Sequence, residues 1–123
     1  AGTVLTTPLA IDRHRFFDHV SSGANNNRWR GEVDFADGST WALQSHHLIE
    51  LLVPADGPIP AGMPYATSGG MLTGMYEHSH FVWAVKGPGA ATEIRLDPWI
   101  LFRQMLLDRE ASYARRRHGT IVG

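Results

Sequence analysis

The side chains best suited to chemistry lie in two short histidine clusters, and each cluster includes a carboxylate. The first is residues 45–50, with the sequence SHHLIE, and the second is residues 77–80, with the sequence EHSH. Neutral imidazole is the commonest protein ligand for transition metals and the usual general base near neutral pH. If the fold brings the two clusters together they form a metal or catalytic site, and otherwise they are polar residues on two strands.

His78 and His80 have the best local geometry for holding a metal ion. Two residues apart on a strand, their Cα atoms are about 6.5 to 7 Å apart, which lets two imidazoles share one ion. His46 from the neighbouring hairpin is the third candidate ligand, and the ion would be a divalent transition metal such as zinc. The alternative, which we favour, is that these histidines lie on the solvent side of a sheet and bind no metal.

Glu50 and Glu77 are the candidate catalytic bases if a metal ion is bound, because a carboxylate beside the ion can activate a water molecule. No established catalytic motif supports this chemistry. The zinc-protease patterns HExxH and HxxEH are absent, and so is the GxSxG turn of serine hydrolases. Without cysteine, the chain has no zinc site of the deaminase type. A small metal-dependent hydrolase, acting on a phosphodiester, is therefore the alternative hypothesis and not the leading one.

Length and composition predict a single domain spanning residues 1–123. Hydrophobic residues make up 43% of the chain and charged residues 19%, which is typical of a globular protein and argues against disorder. No apolar run approaches the roughly 18 to 20 residues that span a bilayer, so no membrane partner is expected. The chain has no cysteine, which excludes disulfides and is compatible with a reducing cytoplasm, the compartment that we expect.

Arginine accounts for ten of the eleven basic residues, and three of the arginines form the run Arg115, Arg116 and Arg117. This run ends the last predicted helix, where cations complement the helix dipole. The alternative is that it binds phosphate, nucleic acid or an acidic protein partner. Nucleic acid is the less favoured partner, because a net charge of −1 argues against a surface built mainly for it.

Residue patterns predict where the helices and strands that position these side chains lie. Asp37-Gly38 between two alternating runs predicts a hairpin, and Asp97-Pro98 predicts the start of a long helix, with Asp as N-cap and Pro at N1. The other predicted elements include a helix over 11–22 and a long Pro/Gly-rich loop over 54–70. The predicted strands are 3–9, 29–36, 40–53, 71–85, 92–96 and 120–122, and the long helix covers 99–116.

These elements predict an α+β fold. Its four-stranded, mainly antiparallel sheet is built from two hairpins, with an N-terminal helix and a long C-terminal helix packed on one face. Three tryptophans are expected on the inner sheet face, against the helix that carries the fourth: Trp29, Trp41 and Trp83, facing Trp99.

The leading functional hypothesis is a non-catalytic binding or assembly module. It would present a sheet face or edge and the 54–70 loop to a protein partner or to its own copy, with a homodimer formed by sheet extension as one possibility. The hydrolase alternative requires His46, His78 and His80 to converge within about 4 to 5 Å in a cleft.

Overall fold

The computed structural model describes residues 2–18, 27–69 and 79–117 of the chain. In these ranges, seven strands form one antiparallel sheet and a single helix follows them. The strands are β1 (Val4–Thr6), β2 (Arg13–Asp18), β3 (Asn27–Asp34), β4 (Thr40–Leu51), β5 (Pro64–Ser68), β6 (Phe81–Lys86) and β7 (Ile94–Leu96), and the helix is α1 (Pro98–Arg117).

Strand β4 organises the sheet, because three other strands pair with it. One edge of β4 pairs with β3, and the other edge pairs first with β6, over residues 40–45, and then with β5, at Leu48 and Leu51. Strand β2 extends the sheet beyond β3, β1 lies beyond β5, and β7 lies beyond β6. A bridge between Ile11 and Ile59 joins the segments that precede β2 and β5, and both side chains are fully buried in the core.

The hairpin of β3 and β4 forms as predicted around Asp37-Gly38. Alternate β3 residues Trp29 and Gly31 are buried, as expected for a strand with one face on the core. Gly38 has a φ of 90°, a backbone conformation that glycine adopts without a steric penalty. The Asp37 carboxylate accepts a hydrogen bond from the Ser39 backbone N–H at 2.8 Å, which closes the turn.

The prediction of an α+β fold with an N-terminal helix is wrong, because the described part of residues 11–22 is strand β2. His14 and Phe16 pair directly with Gly31 and Trp29 of β3. The sheet supplies the backbone hydrogen bonds of this segment, and this tertiary pairing overrides the helical spacing of its apolar residues. His14 is buried, with ring nitrogens 2.9 Å from the Gly57 carbonyl oxygen and 2.8 Å from that of Pro54.

The four-stranded sheet is also a wrong prediction, since the predicted loop over 54–70 contains strand β5. From Tyr65 to Ser68 every residue of β5 is buried, so its sequence lacks the alternation that marks a half-buried strand. The predicted strand over 71–85 is represented by β6, which begins at Phe81. Residues 70–78, like the predicted strand over 120–122, lie outside the described residues.

The long C-terminal helix is confirmed as α1. The Asp97 carboxylate caps it by accepting a hydrogen bond from the Trp99 backbone N–H at 2.9 Å. Leu101 is buried against the sheet, and the Phe102 ring meets the Phe81 ring edge-on at a centroid distance of 5.6 Å. Among the described residues, no helix combines the length and apolar content needed to cross a membrane.

Candidate functional site

The sheet has two chemically different faces. Side chains paired directly across antiparallel strands point to the same face, so the strand register assigns each residue to one face. The inner face carries the apolar side chains, among them Trp29, Leu43 and Trp83. The outer face carries polar and charged side chains from the alternate positions: Arg13, Arg15, Arg28, Arg30, Glu32, Gln44, His46, Lys86 and Arg95.

A β-bulge in β4 interrupts this alternation at His46 and His47. Asn27 pairs with Leu48 and Trp29 pairs with Ser45, so these two histidines lie opposite the single residue Arg28. His47 has a φ of 59°, in the left-handed region where histidine is more frequent than most residues. Because of the bulge, Ser45 and Leu48 are both fully buried. Bulges of this kind redirect side chains and are frequent beside functional sites.

The bulge brings His46, His47 and His80 together, and we call these three residues the histidine cluster. The His80 ring lies 4.8 Å from the His47 ring and 6.2 Å from the His46 ring, measured between centroids. The backbone N–H of His46 donates to the His80 carbonyl oxygen at 3.0 Å. The Ser79 hydroxyl donates to the His46 carbonyl oxygen at 2.7 Å, which fixes the start of β6 against the bulge.

The described groups that act electrostatically on His46 are all basic. The pKa of His46 is lowered to about 4, chiefly by burial and then by the charges of Arg28, His80, His47 and Arg95, in that order. The Nε atom of Arg28 is buried and has no hydrogen-bond partner. At neutral pH, His46 is therefore an uncharged imidazole that lies beside arginine side chains.

The acidic residues of the outer face are engaged by two other arginines. The Arg13 guanidinium binds the carboxylates of Asp34 and Glu32, and its hydrogen bond lowers the pKa of Asp34. Arg30 donates to Glu93 at 2.8 Å, and this hydrogen bond lowers the pKa of Glu93. The Arg30 side chain reaches Glu93 across Ala42 and Ala84, which the register places between them on the outer face. Both alanines are almost fully buried.

The structure brings together part of the site predicted from sequence. His46 and His80 are neighbours, whereas His78 and Glu77 lie outside the described residues. Glu50 is exposed in β4, beyond the bulge. Within the described ranges, no group of three His, Asp or Glu side chains is placed to hold a metal ion. The predicted binding residues Arg115, Arg116 and Arg117 form the last turn of α1, and their side chains are not among those described.

A groove between α1 and the sheet is a second candidate site, which the sequence interpretation missed. Its volume is about 570 Å³, and three tryptophans contribute to its walls: Trp41, Trp83 and Trp99. Trp99 is 64% exposed, contrary to the expected packing of all four tryptophans in the core. The available signal was the sequence WILF followed by MLL, which makes the first turns of α1 apolar on almost every side.

No family model, curated protein or solved structure matches this chain. Its two candidate sites, the outer face with the histidine cluster and the groove beside α1, therefore carry the functional argument.

Proposed function

We propose that this protein is a non-catalytic assembly module that binds a second copy of itself through α1 and the groove beside it. The observation that carries the proposal is a group of large apolar side chains around α1, each between 39% and 66% exposed. We call this group the apolar surface, and it consists of Phe81, Ile94, Leu96, Trp99, Ile100, Leu106 and Leu107.

Helix α1 is apolar on two sides, but the described sheet covers only one of them. Leu101 is buried and Phe102 and Met105 are half-buried on the side that meets the sheet. Ile100 and Leu107, which lie on the other side of the helix, are 60% and 44% exposed. A helix that is apolar almost all round is typically buried on all sides. Association of the chain through α1 would cover the second side.

The extent of the apolar surface supports a second copy as its occupant. Its seven residues are each 39% to 66% exposed, and a group of exposed apolar side chains of this kind is typical of an interaction site, where a standard interface takes about 800 Å² from each partner. A two-fold symmetric dimer uses the same surface on both copies, so one such surface per chain is sufficient.

The charged rim of the apolar surface also suits self-association. Arg103, Asp108, Arg109 and Glu110 are exposed on α1 and carry both signs of charge. In an antiparallel pair of α1 helices, residues of opposite sign can face one another across the two-fold axis. Such a mixed polar rim around an apolar centre is typical of protein interfaces. The hydrolase alternative has no comparable support, because the described residues provide no three-ligand metal site.

Sedimentation velocity tests the proposal with two matched variants. Leu107 and Leu52 are 44% and 43% exposed, but only Leu107 belongs to the apolar surface. We expect a dimer for the wild type and for Leu52→Glu, and a dissociation constant raised at least about 100-fold for Leu107→Glu, because a buried unpaired carboxylate costs several kcal/mol. A wild type that stays monomeric at about 100 µM, or equal behaviour of the two variants, would overturn self-association through α1.

A further inference from the structure

We infer that the β4 bulge builds a phosphate-binding site on the outer face of the sheet, in which Arg28, His46 and His80 contact the oxygens of the anion. This site is separate from the apolar surface, because the register assigns Arg28 and His46 to the opposite face of the sheet from Trp41 and Trp83. The inference therefore does not depend on self-association.

Arg28 provides the first argument, because its guanidinium lacks a counterion in the described structure. The side chain is half-buried, and its Nε atom is enclosed without a hydrogen-bond partner. A buried donor without an acceptor costs about 1 to 3 kcal/mol and calls for an explanation. The carboxylates of Glu32 and Glu93 on the outer face are bound by Arg13 and Arg30. The charge of Arg28 is thus available to an external anion.

The charges that act on His46 provide the second argument, because among the described residues those that shift its pKa all have the same sign. Arg28 faces it from β3, His47 from β4, His80 from the start of β6, and Arg95 from β7. Each of these groups, when protonated, lowers the pKa of His46. A bound anion would reverse this effect, because it stabilises the imidazolium form.

The donor types identify the class of anion. Arginine offers a planar fork of N–H donors that matches phosphate oxygens, and imidazole adds single donors from other directions. The three contacting residues come from three different strands or strand ends on one face, so they approach a ligand from several sides. A phosphate group has three or more acceptor oxygens and carries close to two negative charges near neutral pH. It can therefore accept a hydrogen bond from each of the three residues, whereas a carboxylate has only two oxygens.

Proton linkage gives the site a distinctive property. Because the anion raises the pKa of His46, the protonated protein must bind the anion more tightly, by the reciprocity of coupled binding. Affinity for the anion in a fixed charge state is therefore expected to increase as the pH falls from about 7 towards about 5. A nonspecific attraction of the anion to surface arginines would lack the pH dependence that the protonation of His46 contributes.

Nuclear magnetic resonance titration with inorganic phosphate, at constant ionic strength, tests the inference. We expect saturable shifts at Arg28, His46 and His80, and a raised pKa of His46 in the complex. Arg28→Gln should weaken binding about 10-fold, the loss of one charge-assisted interaction worth about 1.4 kcal/mol. Arg15→Gln is the matched control, since Arg15 lies on the same face with its guanidinium over the Phe17 ring, and it should change binding less than about threefold.

A second variant and a second ligand keep the test decisive if Arg28→Gln fails to fold. The exposed residue His80 allows a second variant, His80→Gln, which should also weaken binding. Adenosine monophosphate in place of inorganic phosphate distinguishes the source of the phosphate group: tighter binding indicates a nucleotide, and equal binding indicates free phosphate. Shifts that do not saturate, shifts centred elsewhere, or equal affinities for the wild type and both Arg28→Gln and His80→Gln would overturn the inference.

Discussion

The two faces of the sheet are built from the same strands but are held together in different ways. On the inner face, aromatic rings fill the space between strands, as where Trp29 packs on Tyr65 at a centroid distance of 4.3 Å. On the outer face, long charged side chains lie across small residues, as where Arg30 reaches Glu93. Around Trp29 the inner face has little room for added atoms, whereas the outer face has flexible side chains that can move aside.

This difference predicts that stability depends mainly on the inner face and ligand binding mainly on the outer face. Close packing makes an inner-face change costly even when it adds a single methyl group. An exposed ion pair contributes little to stability because water screens it. Three changes probe the comparison.

The largest expected effect is on the inner face, at Gly31. A Cβ atom there would overlap the buried ring of Trp29, with the ring Cζ2 atom at 2.6 Å. We expect Gly31→Ala to lower the free energy of unfolding by about 1 to 3 kcal/mol, the usual cost of overpacking a core. Urea denaturation measures this change. Gly87→Ala is the control, because no atom lies within 4 Å of its added Cβ, and equal costs for the two variants would contradict the packing argument.

An intermediate effect is expected from pH, through His46 on the outer face. Its pKa is about 4 in the folded protein, against an ordinary value of 6.5. The unfolded chain therefore binds a proton more readily between these values, and the stabilisation present above about pH 6.5 is lost as the pH falls towards 4. We expect the melting temperature of His46→Gln to decline less than that of the wild type over this range. Parallel declines would show that other groups, such as Asp34 and Glu93, account for the pH dependence.

The smallest effect is expected for the ion pair of Arg30 and Glu93. Glu93→Gln should cost less than about 1 kcal/mol, because Glu93 is partly exposed and salt screens the pair. Thermal melts at low and high salt measure it, and the difference from wild type should shrink at high salt. Asp56→Asn, a change at an exposed acid elsewhere, is the control. A loss of unfolding free energy well above this limit would mean that the outer face also contributes strongly to stability, contrary to the comparison.

The sequence predicted the elements whose signals are local. Asp37-Gly38 and Asp97-Pro98 identify the hairpin of β3 and β4 and the start of α1, because turn and cap chemistry depends on adjacent residues. Strands β2 and β5 were missed, since what makes them strands is pairing with other strands and not a signal within their own residues. The helical spacing around Phe16 was a real pattern, but the sheet determined the outcome.

The candidate sites were predictable in residue type but not in arrangement. The importance of His46 and His80 follows from their chemistry, yet their approach depends on the bulge opposite Arg28. Before the bulge, the residues of β4 that face the core have odd numbers, and the last of them is Ser45. After the bulge, the core residue is the even-numbered Leu48. This change of spacing is the only sign of the bulge in the sequence. Alternation rules assume an uninterrupted strand, so they do not locate the residues that follow a bulge.

The exposed indole of Trp99 has a practical consequence for spectroscopy. Trp29 and Trp83 are buried, so their fluorescence emission is largely insulated from solvent, whereas Trp99 is 64% exposed at the groove. Because indole emission shifts to shorter wavelength when water is excluded, Trp99 is a natural reporter of whatever covers this surface. The protein therefore carries its own optical probe of occupancy at the groove, without any added label.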